Sequence, residues 1–354
     1  MRCTTRTRAG FTLLELVIAT GLLALLMVAV FALLDGTLSM WDKAEVRREL
    51  GDRTSGVMEL FAHDLRGMES GPEGDVWFDW YDFDTDGDEL RETVWPRLRF
   101  VRQASAAEIA RITSTDPEPQ SQPALIEVCY AVLPIRKGDA DRNSVGILMR
   151  GVRLKTAESQ SLLADDFFRT NGQPAPGSLE EVTGGVLWLG VLSATQTSIV
   201  RAGWDIGDGL RDAATAWDAW GGDRLDPTRH AWNVPGAGMP TVDNDALLPR
   251  RVRIEVELER DADLRRRTRL NSPVAASDNL LEVDDVMRLP RNGHFIKIDG
   301  EWMELKSRVA GRATVRRGAR GTDATVHAAG ARIHHGERLV REVPVALYRE
   351  DWNL

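Results

Sequence analysis

An uninterrupted apolar segment near the N-terminus constrains this chain more than any other feature. Residues 11–34 read FTLLELVIATGLLALLMVAVFALL and contain one charged side chain, that of Glu15. A run of this length is sufficient for a helix that spans a bilayer, which needs ~20 apolar residues. A carboxylate inside hydrocarbon is costly and by default marks a functional position. The sequence therefore predicts a transmembrane helix over residues 11–34, with Glu15 as its functional residue.

The residues before this segment form a short basic leader. Residues 1–10 contain Arg2, Arg6 and Arg8 and no acidic side chain, so the leader is expected on the cytoplasmic side of the membrane. An ordinary secretory signal has a small-residue cleavage site after its apolar block. Here the block is followed by DGTLSMWDK, which has no such site. This arrangement differs from that of a secretory signal peptide.

The charge of Glu15 requires a partner from elsewhere. A carboxylate in hydrocarbon costs at least ~2.5 kcal/mol when nothing pairs with it. No lysine or arginine occurs between Arg8 and Lys43. We therefore expect the partner of Glu15 to come from another chain or to be an amino terminus.

The string GFTLLE at 10–15 resembles the type IV prepilin signal. The resemblance implies that prepilin peptidase cleaves after Gly10, that Phe11 becomes an N-methylated amino terminus, and that the apolar helix stays in the product. It also implies that Glu15 neutralises the terminal amine of a neighbouring subunit during assembly. The alternative is a plain signal anchor with a stray acid. We disfavour it because cleavage site, acid and helix occur together.

Composition restricts the compartment and the class of partner. The chain has 354 residues and a net charge of -9, and loss of the leader with its three arginines would change that charge to -12. Such an acidic protein is a poor candidate for nucleic-acid binding, which depends on neutralising phosphates, so no nucleic acid is expected. Cys3 would leave with the leader, and Cys129 in LIEVCYAVL is expected to be a buried small hydrophobe.

The helical pattern continues past the membrane segment and then gives way to strands. Apolar residues at three- and four-residue spacing extend to about Glu69, and Gly71–Pro72 ends the helix, so residues 35–70 are predicted to form an amphipathic stem. Short apolar or alternating runs separated by turn residues then predict strands. These runs are 76–83, 94–102, 124–133, 145–154, 186–192, 197–204, 250–259, 279–289, 294–298, 301–309, 313–316 and 338–348. The predicted fold class is α+β, with a long helix packed on an antiparallel sheet as in pilins.

The part of the chain after the stem is expected to contain an insertion. We predict a periplasmic β domain over 71–271, an inserted β module over 272–337, and a C-terminal strand and tail over 338–354. Within the module, Asp299–Gly300 lies between alternating apolar residues, which is the strongest short hairpin signal. The string RRGARGTDATVHAAG at 316–330 resembles a small β module of phage and surface proteins, and we interpret it as structural.

The stem and several later segments resemble the minor pseudopilin J family of type II secretion. The segments are FAHDLRGM at 61–68, RLRFVR at 97–102, IEVCYAV at 126–132, GILMRGV at 146–152 and LPRRVRIEVEL at 248–258. The resemblance is absent from 265 to 340. It implies a structural subunit at the pseudopilus tip, with one helix in the inner membrane and the bulk of the chain in the periplasm. Its expected partners are I-like and K-like minor pseudopilins, the major pseudopilin and prepilin peptidase.

Two other functions stay open. The first is a minor type IV pilin that primes a pilus for adhesion, motility or DNA uptake, because it would carry the same signal. The second is a membrane-anchored binding protein whose module at 272–337 holds a surface ligand. An enzyme is not expected, because the sequence contains no nucleotide-binding G-x-x-x-x-G-K-[ST] motif, no H-E-x-x-H and no G-x-S-x-G.

An acidic segment at 82–90, DFDTDGDEL, resembles the first half of a calcium loop. Four carboxylates alternate along it, with glycine at the sixth position of the loop, as calcium loops require. They belong to Asp82, Asp84, Asp86 and Asp88. The bidentate acid expected at the twelfth position is replaced by Thr93. Calcium is therefore one interpretation, and a plain acidic hairpin turn is the one that we favour.

Histidines and a basic run complete the list of candidate sites. His327, His334 and His335 are close in sequence, so a metal site is conceivable, but we predict solvated or turn histidines because no cysteine or H-E-x-x-H motif accompanies them. The basic residues between 260 and 269 are interleaved with acids. We predict that this run is a solvated linker and not a phosphate-binding patch.

Overall fold

The structure is a computed structural model. It describes residues 13–69, 73–83, 93–113, 124–134, 144–155, 161–163, 179–194, 217–218, 249, 251–259 and 267–345. The chain divides into two compact units, Met1–Glu49 and Leu50–Leu354. The long helix α1, Leu13–Arg66, contributes to both units.

The second unit begins with the last turns of α1, which bury an apolar stripe. Leu50, Thr54, Val57, Phe61 and Leu65 are buried at three- and four-residue spacing, as the sequence pattern predicts. The helix ends at Arg66, slightly before the predicted end, because Met68 is already extended and forms a bridge with the strand residue Arg102.

Eight strands of this unit form one antiparallel sheet, and a short helix follows the second strand. Their bounds are β1 Val76–Phe83, β2 Thr93–Ala104, α2 Ala106–Thr113, β3 Ala124–Pro134, β4 Gly146–Leu154, β5 Glu180–Ala194, β6 Trp217–Asp218, β7 Arg251–Leu258 and β12 Glu337–Pro344. The strand order is β12-β7-β5-β4-β3-β2-β1-β6. The register places Tyr130 of β3 opposite Leu98 of β2 on one side and Arg150 of β4 on the other.

Four further strands form a second antiparallel sheet. Their bounds are β8 Leu280–Glu282, β9 Phe295–Ile298, β10 Glu301–Val309 and β11 Arg312–Ala319, in the order β8-β11-β10-β9. Asp299, in the turn between β9 and β10, has a φ of 51°, as the Asp-Gly hairpin signal requires. This sheet is inserted between β7 and β12, because Leu258 at the end of β7 lies directly opposite Glu337 at the start of β12.

The second sheet has an apolar core of its own. The buried members of this core are Leu270, Val274, Leu281, Val283, Leu289, Ile296, Ile298, Met303, Leu305, Ala313, Val315 and Ile333. One predicted strand is shorter than expected: in the run 279–289 the strand covers only Leu280–Glu282, and Val283 forms an isolated bridge with Leu270. A 3-10 helix follows at Val286–Arg288. The side chain of Asp285 caps this helix by accepting a hydrogen bond from the backbone N–H of Met287, which ends the strand.

The prediction of an α+β fold, with a long N-terminal helix and an antiparallel sheet, is confirmed. The predicted strand at 197–204 lies outside the described residues.

Candidate functional site

The first candidate site is the apolar half of α1. Leu13–Leu38 is 26 residues long and apolar enough to cross a membrane, and among the described residues it is the one helix that meets this test. At 1.5 Å per residue it is about 39 Å long, which exceeds the ~30 Å thickness of the hydrocarbon core. Its large apolar side chains are exposed, so this surface needs lipid or other apolar helices around it.

Glu15 lies in the first turn of α1, with an exposed side chain. A carboxylate in that position interacts favourably with the positive end of the helix dipole. The predicted cleavage and methylation positions, Gly10 and Phe11, lie outside the described residues. Cleavage and methylation therefore stay predictions.

The second candidate site is a buried ion cluster around Asp64, which joins α1 to the sheet. Asp64 is 0% exposed. The hydroxyl of Tyr130 donates to Oδ2 of Asp64 over 2.5 Å, and Arg150 donates from Nε to Oδ2 over 2.8 Å and from Nη2 to Oδ1 over 3.0 Å. Nε of Arg102 lies 3.1 Å from Oδ1 of Asp64. Both carboxylate oxygens are therefore engaged by groups from β2, β3 and β4.

The surroundings of this cluster shift the pKa values of two residues that contact Asp64. Burial and the charge of Asp64 raise the pKa of the Tyr130 hydroxyl well above its usual value, so Tyr130 stays a hydrogen-bond donor. Burial alone would lower the pKa of Arg150, but its hydrogen bond to Asp64 and the negative charge there raise the pKa instead. The ring of Phe61 packs on Tyr130 with centroids 4.1 Å apart and covers the cluster with apolar surface.

The Asp64 cluster brings together four segments that were separate in the sequence. Asp64 belongs to FAHDLRGM, Arg102 to RLRFVR, Tyr130 to IEVCYAV and Arg150 to GILMRGV. These are four of the five segments that resemble the pseudopilin J family. Their charged and hydroxyl side chains therefore share one structural role, which is to hold the end of α1 on the sheet.

Arg102 also connects the cluster to the start of α2. Its guanidinium donates from Nη2 to Oε1 of Glu108 over 2.5 Å. Ser105 and Glu108 form a capping box, because each accepts a hydrogen bond from the backbone N–H of the other. The hydrogen bond from Arg102 is the main reason that the pKa of Glu108 is lowered to about 2.

A third polar region lies where the second sheet contacts the first, and we call it the junction. Glu255, Glu257 and Glu259 alternate with buried apolar residues along and just beyond β7. Such an alternation predicts a solvated charged face. The structure instead buries Glu257, which is 4% exposed, and Glu259, which is 1% exposed, beneath the second sheet. Sequence reasoning missed this junction.

Arg320, just after β11, is the central cation of the junction. Its guanidinium lies 2.8 Å from Oε2 of Glu257 and 3.3 Å from Oε1 of Glu255. The same group lies over the ring of Trp302, 4.1 Å from its centroid. Arg320 therefore contacts two carboxylates of the first sheet and the face of an aromatic ring of the second. A planar guanidinium suits this arrangement.

The prediction of solvated histidines is wrong for two of the three. His334 is 1% exposed, and its Nδ1 lies 2.9 Å from Oε1 of Glu259 in the junction. His327 is 0% exposed. His335 is half-buried, with Nε2 3.0 Å from the carbonyl oxygen of Arg288. Carboxylate partners explain the burial of His334 and His327, because a buried ring with a charged acceptor needs no water.

Glu301 organises the interior of the second sheet. It is 1% exposed and accepts two hydrogen bonds from Arg317, each of 2.7 Å. His327 places Nε2 2.9 Å from Oε2 of Glu301 and Nδ1 2.7 Å from Oδ2 of Asp299. Burial alone would lower the pKa of His327, but these two carboxylates raise it, which favours the imidazolium. The network therefore gives Arg317 and His327, two polar residues of the string at 316–330, a structural role.

The other predicted positions have mixed outcomes. Cys129 is fully buried, as predicted, and burial raises the pKa of its thiol to about 12. Asp82 lies in the part of β1 that pairs with β2. Asp84, Asp86 and Asp88 lie outside the described residues, so calcium binding stays a prediction. Of the described residues, no group of three or more His, Cys, Asp or Glu is placed to hold a metal ion.

The basic run lies partly outside the described residues. Residues 260–266 are outside them, and Arg269 is exposed as predicted. The prediction of a solvated linker is wrong for Arg267, whose Nη2 lies 3.1 Å from Oε2 of Glu259 and whose side chain is 10% exposed. Arg267 is therefore part of the junction.

Comparison with known proteins identifies the N-terminal signal. A family model described as the prokaryotic N-terminal methylation motif matches residues 5–31. A search of curated proteins found no match. The matched residues include Gly10, Phe11 and Glu15 and most of the membrane helix. Together with the α+β fold, this match supports a type IV pilin-like protein that has a prepilin signal and a single N-terminal membrane anchor.

Proposed function

We propose that the chain is a minor pseudopilin of a type II secretion system, a structural subunit at the pseudopilus tip that assists protein export. The observation that carries the proposal is the methylation motif at 5–31, which places Glu15 in the first turn of an apolar helix. Before assembly, this helix would anchor the chain in the inner membrane with the second unit in the periplasm. In the filament, its exposed apolar surface would pack against neighbouring helices.

Glu15 is the assembly residue in this proposal. Its carboxylate would meet the amine of N-methylated Phe11 of a neighbouring subunit. A pair of opposite charges in apolar surroundings is strongly attractive, and either charge alone there is strongly unfavourable. Subunits would therefore join in one axial register, in which the acid of one chain faces the terminus of the next.

Support for the pseudopilin J branch comes from the Asp64 cluster. Four of the segments that resemble that family contribute Asp64, Arg102, Tyr130 and Arg150, and the last three side chains all contact Asp64. The similar segments therefore pack together in the structure. The cluster fixes the last turns of α1 to the sheet. Movement of the helix during filament growth would therefore be transmitted to the β domain.

The partners follow from this assignment. We propose that prepilin peptidase processes the chain and that I-like and K-like minor pseudopilins join it at the tip, above the major pseudopilin. The second sheet lies at the far end of the β7–β12 hairpin and would add to the side surface of the tip.

A clean deletion tests the branch. We expect loss of protein export with surface pili intact, scored side by side in the same strain. Loss of pili, motility or DNA uptake with export intact would instead identify a minor type IV pilin.

A smaller deletion tests the alternative of a membrane-anchored binding protein. It removes residues 259–336 and joins Leu258 to Glu337 by an Asn-Gly turn. Retained filament assembly with loss of surface binding would indicate that the deleted segment is a binding module.

Glu15→Ala tests the assembly step. We expect normal cleavage after Gly10 and loss of incorporation into filaments, because the neighbouring amine would be left without its partner. Glu45→Ala is the matched control. Glu45 is an exposed acid on the same helix and forms an ion pair with Arg48 over 2.6 Å. Incorporation of the Glu15 variant at the level of this control would contradict the pairing.

A further inference from the structure

Lys297 of β9 reaches across the junction from the second sheet to the first. It is 5% exposed, and its Nζ donates to the carbonyl oxygen of Leu187 in β5 over 3.2 Å. The ammonium position lies 4.3 Å from the ring centroid of Trp95 in β2 and 5.5 Å from that of Trp302 in β10. One lysine head therefore contacts three strands of two sheets, in a largely aromatic pocket.

This lysine lacks the carboxylate that the other junction cations have. Within the described part of the chain, no carboxylate oxygen lies within 4.0 Å of Nζ of Lys297, whereas Arg320 lies 2.8 Å from Glu257 and His334 lies 2.9 Å from Glu259. A buried ammonium with one carbonyl acceptor leaves donors unsatisfied, which is costly.

The charged groups that face Lys297 do not remove this cost. Arg320 shares the indole of Trp302 with it, so two cations approach one ring. Glu257 and Glu259 exert a weaker opposing attraction. His334 pairs with Lys297 through the backbone, and its ring is directed to Glu259. Burial, followed by the charge of Arg320, lowers the pKa of Lys297 to about 7.

We propose that the junction is a proton-sensitive latch, in which the second sheet docks on the first with Lys297 as the neutral amine and proton uptake by that amine loosens the contact. An undocked Lys297 in water binds its proton up to about pH 10.5, whereas the docked group releases it near pH 7. Between these values the undocked state holds more protons, so docking weakens as the pH falls. Below pH 7 both states are protonated, and docking no longer changes.

Opening of the latch does not require filament assembly. It can be measured on the full chain in detergent micelles, with hydroxyl-radical footprinting of Trp302 and Trp95 along a urea titration at pH 9 and at pH 7. Both side chains are 1–2% exposed when docked, so their oxidation reports opening of the junction. We expect the equilibrium constant for opening to rise more than tenfold, on the linkage relation, from pH 9 to pH 7.

Three variants assign this change to one side chain. Lys297→Met should lose most of the pH dependence, because it removes the amine whose proton affinity differs between the docked and undocked states. Lys306→Met, which removes a lysine that is 48% exposed in the same sheet, should behave as the wild type. His334→Gln should also retain the wild-type change.

Three results would overturn the latch. The first is a Lys297→Met protein with the wild-type pH dependence, and the second is a His334→Gln protein without it. If Lys297→Met does not fold, the wild-type measurement decides, and equal opening at pH 9 and pH 7 is the third result.

Discussion

The Asp64 cluster and the junction at Lys297 are both buried and polar, but their charges are balanced differently. Asp64 is a carboxylate with two guanidinium groups and a hydroxyl around it. Lys297 is an amine with one carbonyl acceptor and two indole rings. The charge of Asp64 is matched by two guanidinium groups, whereas the docked Lys297 is stable mainly without its charge.

This difference has a structural consequence. A balanced ion cluster is expensive to break, because removal of one partner leaves the others buried and unpaired. A contact that buries an amine without a carboxylate partner changes its stability with pH, because the amine can lose its proton. The attachment of α1 to the first sheet is therefore expected to be constant, and the attachment of the second sheet to the first is expected to be adjustable.

The largest effect is expected for Asp64→Ala. The substitution leaves Arg102, Arg150 and Tyr130 without their acceptor, so the free energy of unfolding should fall by about 3–5 kcal/mol. The measurement is urea unfolding of the full chain in micelles. Asp284→Ala is the control, because Asp284 is exposed and should change little. A loss at position 64 no larger than that of the control would break the comparison.

A somewhat smaller and more local effect is expected for Glu301→Ala. Glu301 is a balanced carboxylate within the second sheet, so it tests whether charge balance, and not the sheet concerned, decides rigidity. Loss of its bonds from Arg317 and His327 should destabilise the second sheet by about 3 kcal/mol. Amide exchange should accelerate in β9–β11 while β2–β4 stay protected. Equal acceleration in both sheets would show that the sheets do not open separately.

The pH dependence of Glu301 has the same sign as that of Lys297, because both pKa values are lowered by the folded surroundings, but it lies in a more acidic range. Burial alone would raise the pKa of Glu301, but hydrogen bonds from Arg317 and His327 outweigh it and lower the pKa to about 2. Its stabilisation is complete above the usual pKa of 4.5 and is lost as the pH falls toward 2. Wild-type β9–β11 should therefore lose protection in this acid range, and the Glu301→Ala protein should lose less.

The smallest effect is expected for Glu108→Gln. Glu108 is partly exposed, so its ion pair with Arg102 is screened and should contribute less than about 1 kcal/mol. Glutamine keeps the capping-box geometry of α2. Thermal melting at neutral pH should shift by no more than a few degrees, and the acid loss between pH 4.5 and 2 should shrink. If Glu108→Gln lost as much stability as Asp64→Ala, the degree of burial would not determine the size of these effects.

Much of the fold was predictable because local patterns agree with the final packing. The apolar spacing of Leu50, Val57, Phe61 and Leu65 predicts the stripe that α1 buries, and Asp299–Gly300 predicts the β9–β10 turn. Most strand positions follow from alternation. The apolar setting of Cys129 likewise predicts its burial.

The two polar sites were less predictable, for a physical reason. The partners of Asp64 lie 38 to 86 residues further along the chain, so only the strand register brings them together. Glu257 and Glu259 alternate with apolar residues as a solvated strand face does, and only the docking of an inserted sheet buries them. No local pattern distinguishes a face exposed to water from a face covered by a distant segment.

The account depends most on the prepilin signal at 5–31, and mass spectrometry of the mature amino terminus tests it directly. The N-terminal peptide of the membrane-extracted protein should begin with N-methylated Phe11, and residues 1–10 should be absent. A mature chain that begins at Met1, or one cleaved after the apolar helix, would contradict the pilin-like assignment.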